Sequence, residues 1–143
     1  MRRNAGFSLP ELLIGLLVAA IIATCALPAA RHAVQRARRA AACSALQELA
    51  LRQERHHALH EAYARDPAQL GWVADAQGLI AWPSPSRPWY KLRLRSRSPP
   101  GRPAQDYQAL ALPLAPQAAD ACGTLGIDHL GRQRGAAPGC CSS

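Results

Sequence analysis

Acidic side chains are scarce in this chain: nine aspartates and glutamates stand against seventeen lysines and arginines, a formal net charge of +8 over 143 residues. No set of those acids has the spacing of a general acid–base pair, and no glycine-rich phosphate loop, serine elbow or cysteine–histidine dyad stands out. These absences argue against an enzyme and leave no residue to name as catalytic. The positive balance points instead to acidic partners such as nucleic acid or anionic surfaces, although charge governs association and not fold. Glycine and proline are absent between Arg31 and Asp66, which removes the usual helix breakers from that stretch. Charge is absent altogether from Leu12 to Ala30.

That chargeless run has the length of a membrane helix, which needs about 20 apolar residues. It is preceded by Met1-Arg2-Arg3-Asn4-Ala5-Gly6 and then Phe7-Ser8-Leu9-Pro10-Glu11. An ionisable group at the centre of a lipid-spanning helix is penalised by roughly 2.5–3.5 kcal/mol on insertion scales. A carboxylate at the mouth of such a run is therefore a functional candidate, here Glu11. A secretory signal also begins with basic residues, and Ala29-Ala30 are small enough for its cleavage site, but its apolar core is only about 7–15 residues long. A lipoprotein signal would use Cys25, yet Thr24 fits that pattern poorly and the apolar run continues past it. Cys25 otherwise reads as a small apolar residue facing lipid or a neighbouring helix.

From Arg31 onward the apolar residues take helical spacing. Val34, Ala37, Ala41, Ala45 and Leu49 recur at steps of three and four, and Ala42, Leu46 and Ala50 widen the stripe. With Pro28 as the only interruption, the pattern predicts one helix from Phe7 to about Ala62, kinked at Pro28. Asp66-Pro67 ends it. A short strand is expected near Leu79–Trp82. From Trp89 to Ser98, Lys91, Arg93, Arg95 and Arg97 alternate with Tyr90, Leu92 and Leu94, a half-buried strand with one basic and one apolar face. Pro99-Pro100-Gly101 breaks that strand. Asp106 to Leu114 follows, with Leu110, Leu112 and Leu114 as its apolar face, then Cys122 to Leu130, with Leu125 and Ile127. Gly131 turns the chain, and the tail reads as loop. The expected fold is α+β: a long helical spine packed on a small antiparallel sheet of three to four strands.

Gly6-Phe7-Ser8-Leu9-Pro10-Glu11-Leu12-Leu13 resembles the class III signal of type IV pilins and pseudopilins. Pro10 stands where that family usually has an aliphatic residue, in a first helical turn that tolerates it. The resemblance implies cleavage after Gly6 by a prepilin peptidase, N-methylation of Phe7, and a role for Glu11 in pairing with the free amine of a neighbouring subunit. It divides the chain into a leader (1–6), a transmembrane or filament-core helix (7–30), its amphipathic continuation (31–65) and a globular β head (66–143). Ala50-Leu51-Arg52-Gln53-Glu54, Tyr107-Gln108-Ala109-Leu110-Ala111 and Gln117 to Leu125 are similar to segments of PilE-type minor pilins, which pin the C-terminal tail by a disulfide. By that likeness Cys122 pairs with Cys140 or Cys141; which of the two is not readable, and the other is left to Cys43 or free. Basic residues flank both ends of the apolar run, and Arg31, Arg36, Arg38 and Arg39 outnumber Arg2 and Arg3. Charge counting thus favours the N-terminus outside, whereas the resemblance places it in the cytoplasm with the head in the periplasm, and on the pilus after assembly.

The implied function is that of a structural minor pilin, serving pilus assembly, adhesion or twitching motility. Its partners would be other pilin subunits, the inner-membrane assembly machinery, the peptidase, and the membrane before assembly. Lys91, Arg93, Arg95 and Arg97, with Trp82 and Trp89 close by, supply the alternative: cations for phosphates and rings for bases, as in a DNA receptor of natural transformation. Arg132 and Arg134 extend that patch only if they share its face. The bland reading is a solvated face or a charged edge. A secretion pseudopilin is a further alternative. His56 and His60 are four apart on the helix, but no H-E-x-x-H pattern accompanies them, so packing is the simpler account and no metal or cofactor is expected.

Overall fold

The computed structural model describes residues 8–137 and 139–141. Gly6 and Phe7, and the leader with them, lie outside the described residues. The first element, α1, spans Leu9–His60 and runs through Pro28. It stops where Glu61 turns left-handed (φ 55°), the Glu61 N–H still donating to His57 O at 2.8 Å. The chain divides into two compact units, one ending at Val34 and one from Gln35 onward.

In the first unit every described residue is exposed, Leu12 by 57% and Leu16 by 67%. α1 is long and apolar enough, by length and composition, to cross a membrane. Val34 is half exposed, so the expected stripe begins to bury later than its spacing suggests. In the second unit the stripe is real: Ala42, Cys43, Ala45, Leu46, Leu49 and Gln53 are buried.

Five strands form a consecutive antiparallel sheet: β1 Leu79–Trp82, β2 Tyr90–Arg95, β3 Gln108–Pro113, β4 Leu125–Asp128 and β5 Gln133–Arg134. The short strand at Leu79–Trp82 stands where the sequence places it. The fifth strand lies in the tail that reads as loop; two residues are too few to show alternation. The inward residues of the sheet, Ile80, Tyr90, Leu92, Leu94, Ala109, Ala111, Leu125 and Ile127, share one core with the buried face of α1. β3 corrects the sequence reading. Its core face is Tyr107, Ala109 and Ala111, while Leu110 and Leu112 lie half-buried on the other side. Register decides this. Leu92 pairs with Ala111 and Leu94 with Ala109, and directly paired residues share a face, so the larger leucines pair with Arg93 and Lys91 instead.

Polar fastenings close the head. Gln53 is fully buried, and its amide donates to Ala64 O (2.9 Å) while its carbonyl accepts from Ala64 N (2.8 Å). Arg39 holds Asp120 at 2.7 Å, and Gln117 donates both to Asp120 (2.7 Å) and to Gln35 O (2.9 Å). Two disulfides complete the frame. Cys122 pairs with Cys140, and Cys141 reaches back to Cys43 on α1. The alternatives that the sequence leaves open are thereby resolved, with both late cysteines used. Cys25 is a free, exposed thiol.

Candidate nucleic-acid interface

Antiparallel pairing puts paired residues on one face, so the outer face of the sheet can be read from the register. Arg93 pairs with Leu110, Leu110 with Gly126, and Gly126 with Arg134. Arg95 pairs with Gln108, and Gln108 with Asp128. Arg134 therefore shares the outer face with the β2 cations, the condition the sequence could state but not check. Gly126 is what keeps this row close. A Cβ there would stand 3.0 Å from Leu110 Cδ2 and 3.3 Å from Ala109 O, so the leucine folds across the glycine and leaves the arginines standing at either side.

The four predicted cations are not equivalent. Lys91 is bound to Asp75 at 3.1 Å. Arg93, Arg95 and Arg97 have no carboxylate partner among the described residues; Arg93 is half-buried, Arg95 and Arg97 exposed. No acidic residue occurs between Asp75 and Asp106, so nothing in the intervening chain neutralises them. Arg95, Arg97, Arg132 and Arg134 converge on a cavity of about 250 Å³, whose walls include Gln108 and His129. Asp128 sits on that wall and is already taken. It accepts from Leu130 N, Arg132 N and Arg132 Nε, with Arg132 Nη2 at 2.8 Å and Arg134 at 4.0 Å. Burial pushes the Asp128 carboxyl up, but these donors outweigh it and hold the group below its ordinary value. Asp106 is similar: burial raises it, while Arg97 N, Ser96 and Ser98 together hold it low. Both acids are engaged in organising loops, and Arg95 and Arg97 are left facing solvent.

The aromatic half of the expected interface does not form. Trp82 pairs with Tyr90 in the sheet register and tilts against Trp72 at 5.5 Å, and Trp89 lies under the Arg38 guanidinium at 5.0 Å. Both indoles pack against the core. The rings nearest the cavity are His129 and Tyr107, linked through Tyr63. Tyr107 is buried, which raises its phenol well above the ordinary value. Asp106, Asp128 and Arg65 escape sequence reasoning; a solitary acid within a basic stretch is the only signal that marks the first of them. His56 stacks on His60 at 4.2 Å, and the two Nδ1 atoms lie within hydrogen-bond distance of Ala62 O and His56 O. Among the described residues no group of three metal-ligating side chains assembles. Glu11 lies exposed in the first turn of α1.

With this geometry in place, comparisons with known proteins give the frame. Residues 1–26 match the model of the prokaryotic N-terminal methylation motif. Residues 28–126 match the model described as type IV minor pilin ComP, DNA uptake sequence receptor. Among solved structures, a type IV pilin from Shewanella oneidensis is similar in fold, with a TM-score of 0.51 and 23% identity over 69% of this chain and 89% of that one. No curated protein matches. The pilin family and fold are structural and not enzymatic. A methylation motif opening onto an apolar helix, a head of helix and antiparallel sheet, and a family match over most of the chain have one meaning: the chain belongs to the type IV pilin family, as a minor pilin.

Proposed function

We propose that this minor pilin is processed between Gly6 and Phe7 by a prepilin peptidase, waits in the inner membrane with its N-terminus cytoplasmic and its head periplasmic, and enters a pilus through Glu11. There it displays the outer face of its sheet as a DNA-binding surface. Residues 7–30 are the membrane and filament segment with Pro28 as its point of bending, 31–65 carry the helix on to its end at His60 and lead into the head, and 66–143 form the β head. Partners are other pilin subunits, the assembly machinery and DNA; no cofactor enters the account.

The observation that carries the DNA reading is the row Arg93, Arg95 and Arg97, without carboxylate partners among the described residues, with Arg93 on a face shared with Arg134. Cations left unneutralised at a surface release counterions when they meet phosphates, which drives binding that weakens with salt. The ComP family model bears the words DNA uptake sequence receptor, and that description agrees with the reading. Replacing Arg93, Arg95 and Arg97 together by Ala is expected to weaken duplex binding by the mature chain. The slope of log K against log salt should fall by about 0.9 for each phosphate that the variant no longer neutralises, while pilus assembly stays normal. Lys91→Ala should change little, because Asp75 already holds that ammonium. Unchanged affinity and unchanged slope in the triple variant would remove the DNA reading and leave the structural subunit.

A further inference from the structure

The segment joining β2 to β3 is exposed from Pro99 to Pro103, yet it is among the most fastened parts of the head. One guanidinium, Arg65, donates to three of its carbonyls: Ser98 O at 3.0 Å, Pro99 O at 2.8 Å and Arg102 O at 3.0 Å. The Asp106 carboxylate accepts from Ser96 Oγ, Arg97 N, Ser98 N and Ser98 Oγ. Ser98 Oγ in turn accepts from Gln105 N at 3.0 Å, and Ala104 O takes the Tyr63 N–H at 2.8 Å. The tip itself is a tight turn. Arg102 N–H donates to Pro99 O at 3.3 Å, Pro100 precedes Gly101, and Gly101 stands at φ 80° with nothing near its Cβ position. That is the type II pattern of Pro then Gly at the two central positions.

So much fastening serves no core, because the tip is exposed throughout. What it does is fix in space a narrow turn of three prolines, with the Arg97 and Arg102 side chains exposed and without carboxylate partners among the described residues. A single turn is slimmer than the helix or two-stranded ribbon that fills a major groove about 12 Å wide. The minor groove, about 6 Å wide, admits arginines where its potential is most negative and tolerates proline wedges between base steps. Order held before binding also lowers the entropy lost on binding.

Resting on the DNA reading above, we propose that the Pro99–Pro103 turn enters the minor groove of duplex DNA, with Arg102 as the inserted cation. Arg65 is a positioning residue that holds the turn in the entering conformation, and the neighbouring Arg95–Arg134 face lies against the phosphates.

The test uses the full mature chain in detergent, with two duplexes of equal length, one A·T-rich and one G·C-rich, at fixed salt. Netropsin, a minor-groove ligand, should displace the protein, and methyl green, a major-groove ligand, should not. The A·T-rich duplex should bind more tightly. Arg102→Ala should lose on the order of tenfold in affinity for it, and far less for the G·C-rich one. Arg55→Ala removes the same charge from the spine helix and should lose much less. Arg65→Lys keeps the charge, but one ammonium cannot replace a planar fork on three carbonyls, so the preference for A·T should shrink while the melting of the head holds. Displacement by methyl green and not netropsin, or an Arg102→Ala loss no greater than that of Arg55→Ala, overturns the minor-groove assignment and leaves the basic face standing. No binding of the unaltered chain to either duplex at low salt removes the DNA reading and this inference with it.

Discussion

The same helix is used in two opposite ways. Up to Val34, α1 keeps its large apolar side chains outward and has no described residue buried. From Gln35 onward it buries a stripe of alanines and leucines, carries Cys43 into a disulfide and turns Gln53 into a two-bond clasp on Ala64. One half finds its partners within the chain; the other can satisfy its surface only against lipid or another molecule. The difference shows how little helix propensity decides by itself. Both halves are continuous helix, and what separates them is whether a sheet and a tail exist to cover them.

Several experiments sharpen or break this contrast. The largest effect is expected at Glu11. If Glu11 pairs with a neighbouring subunit's amine as proposed, Glu11→Ala should leave processing intact and the melting of the head unchanged, yet nearly abolish incorporation into filaments, because the amine would be buried without its carboxylate. Immunoblots of sheared filaments beside whole-cell levels measure it, and normal incorporation would dissolve the division of labour. Within the head, the Cys43–Cys141 bridge spans 98 residues and Cys122–Cys140 spans 18. By loop entropy, removing the first is expected to lower stability by about 4–5 kcal/mol and the second by about 3 kcal/mol. Denaturant melts of the paired serine variants give the order, and the reverse order would mean that the tail and not the spine attachment dominates. Gln53→Ala strands the Ala64 N–H and carbonyl and should cost about 1–3 kcal/mol, read in the same melts.

The smallest effect is in acid. Asp75 is held below its ordinary value chiefly by the Leu79 N–H, and Asp106 and Asp128, though burial pushes them up, by their loop donors. A lowered folded pKa gives stability that is present above the unfolded value and is lost as pH falls through the folded one. The head should therefore soften below the ordinary carboxylate range, near pH ~4, with little change between neutral pH and about pH 5. Circular dichroism melts across that range check it; softening already at about pH 6 would contradict the carboxylate account.

The spine and the basic strand are legible because each repeats a residue type at its own period: no charge for the length of a membrane, and cations at every second position from Lys91 to Arg97. β3 misleads because both of its faces are apolar, and leucine advertises burial more loudly than alanine. Only the pairing of Leu92 with Ala111 shows that small residues face the helix. β5 leaves no pattern in two residues, and the tryptophans mislead because nearness in sequence does not place two side chains on one face. The polar clasps at Gln53, Arg65 and Asp106 join residues too far apart in sequence for local spacing to reveal them.

In the proposed account, filament entry and display of the head on the pilus rest on the chain beginning its mature life at Phe7. Mass spectrometry of the N-terminal peptide from assembled filaments addresses that directly. A peptide starting at Phe7 with a methylated amine is the predicted result. A peptide retaining Met1, carrying lipid on Cys25, or starting near Arg31 would contradict it.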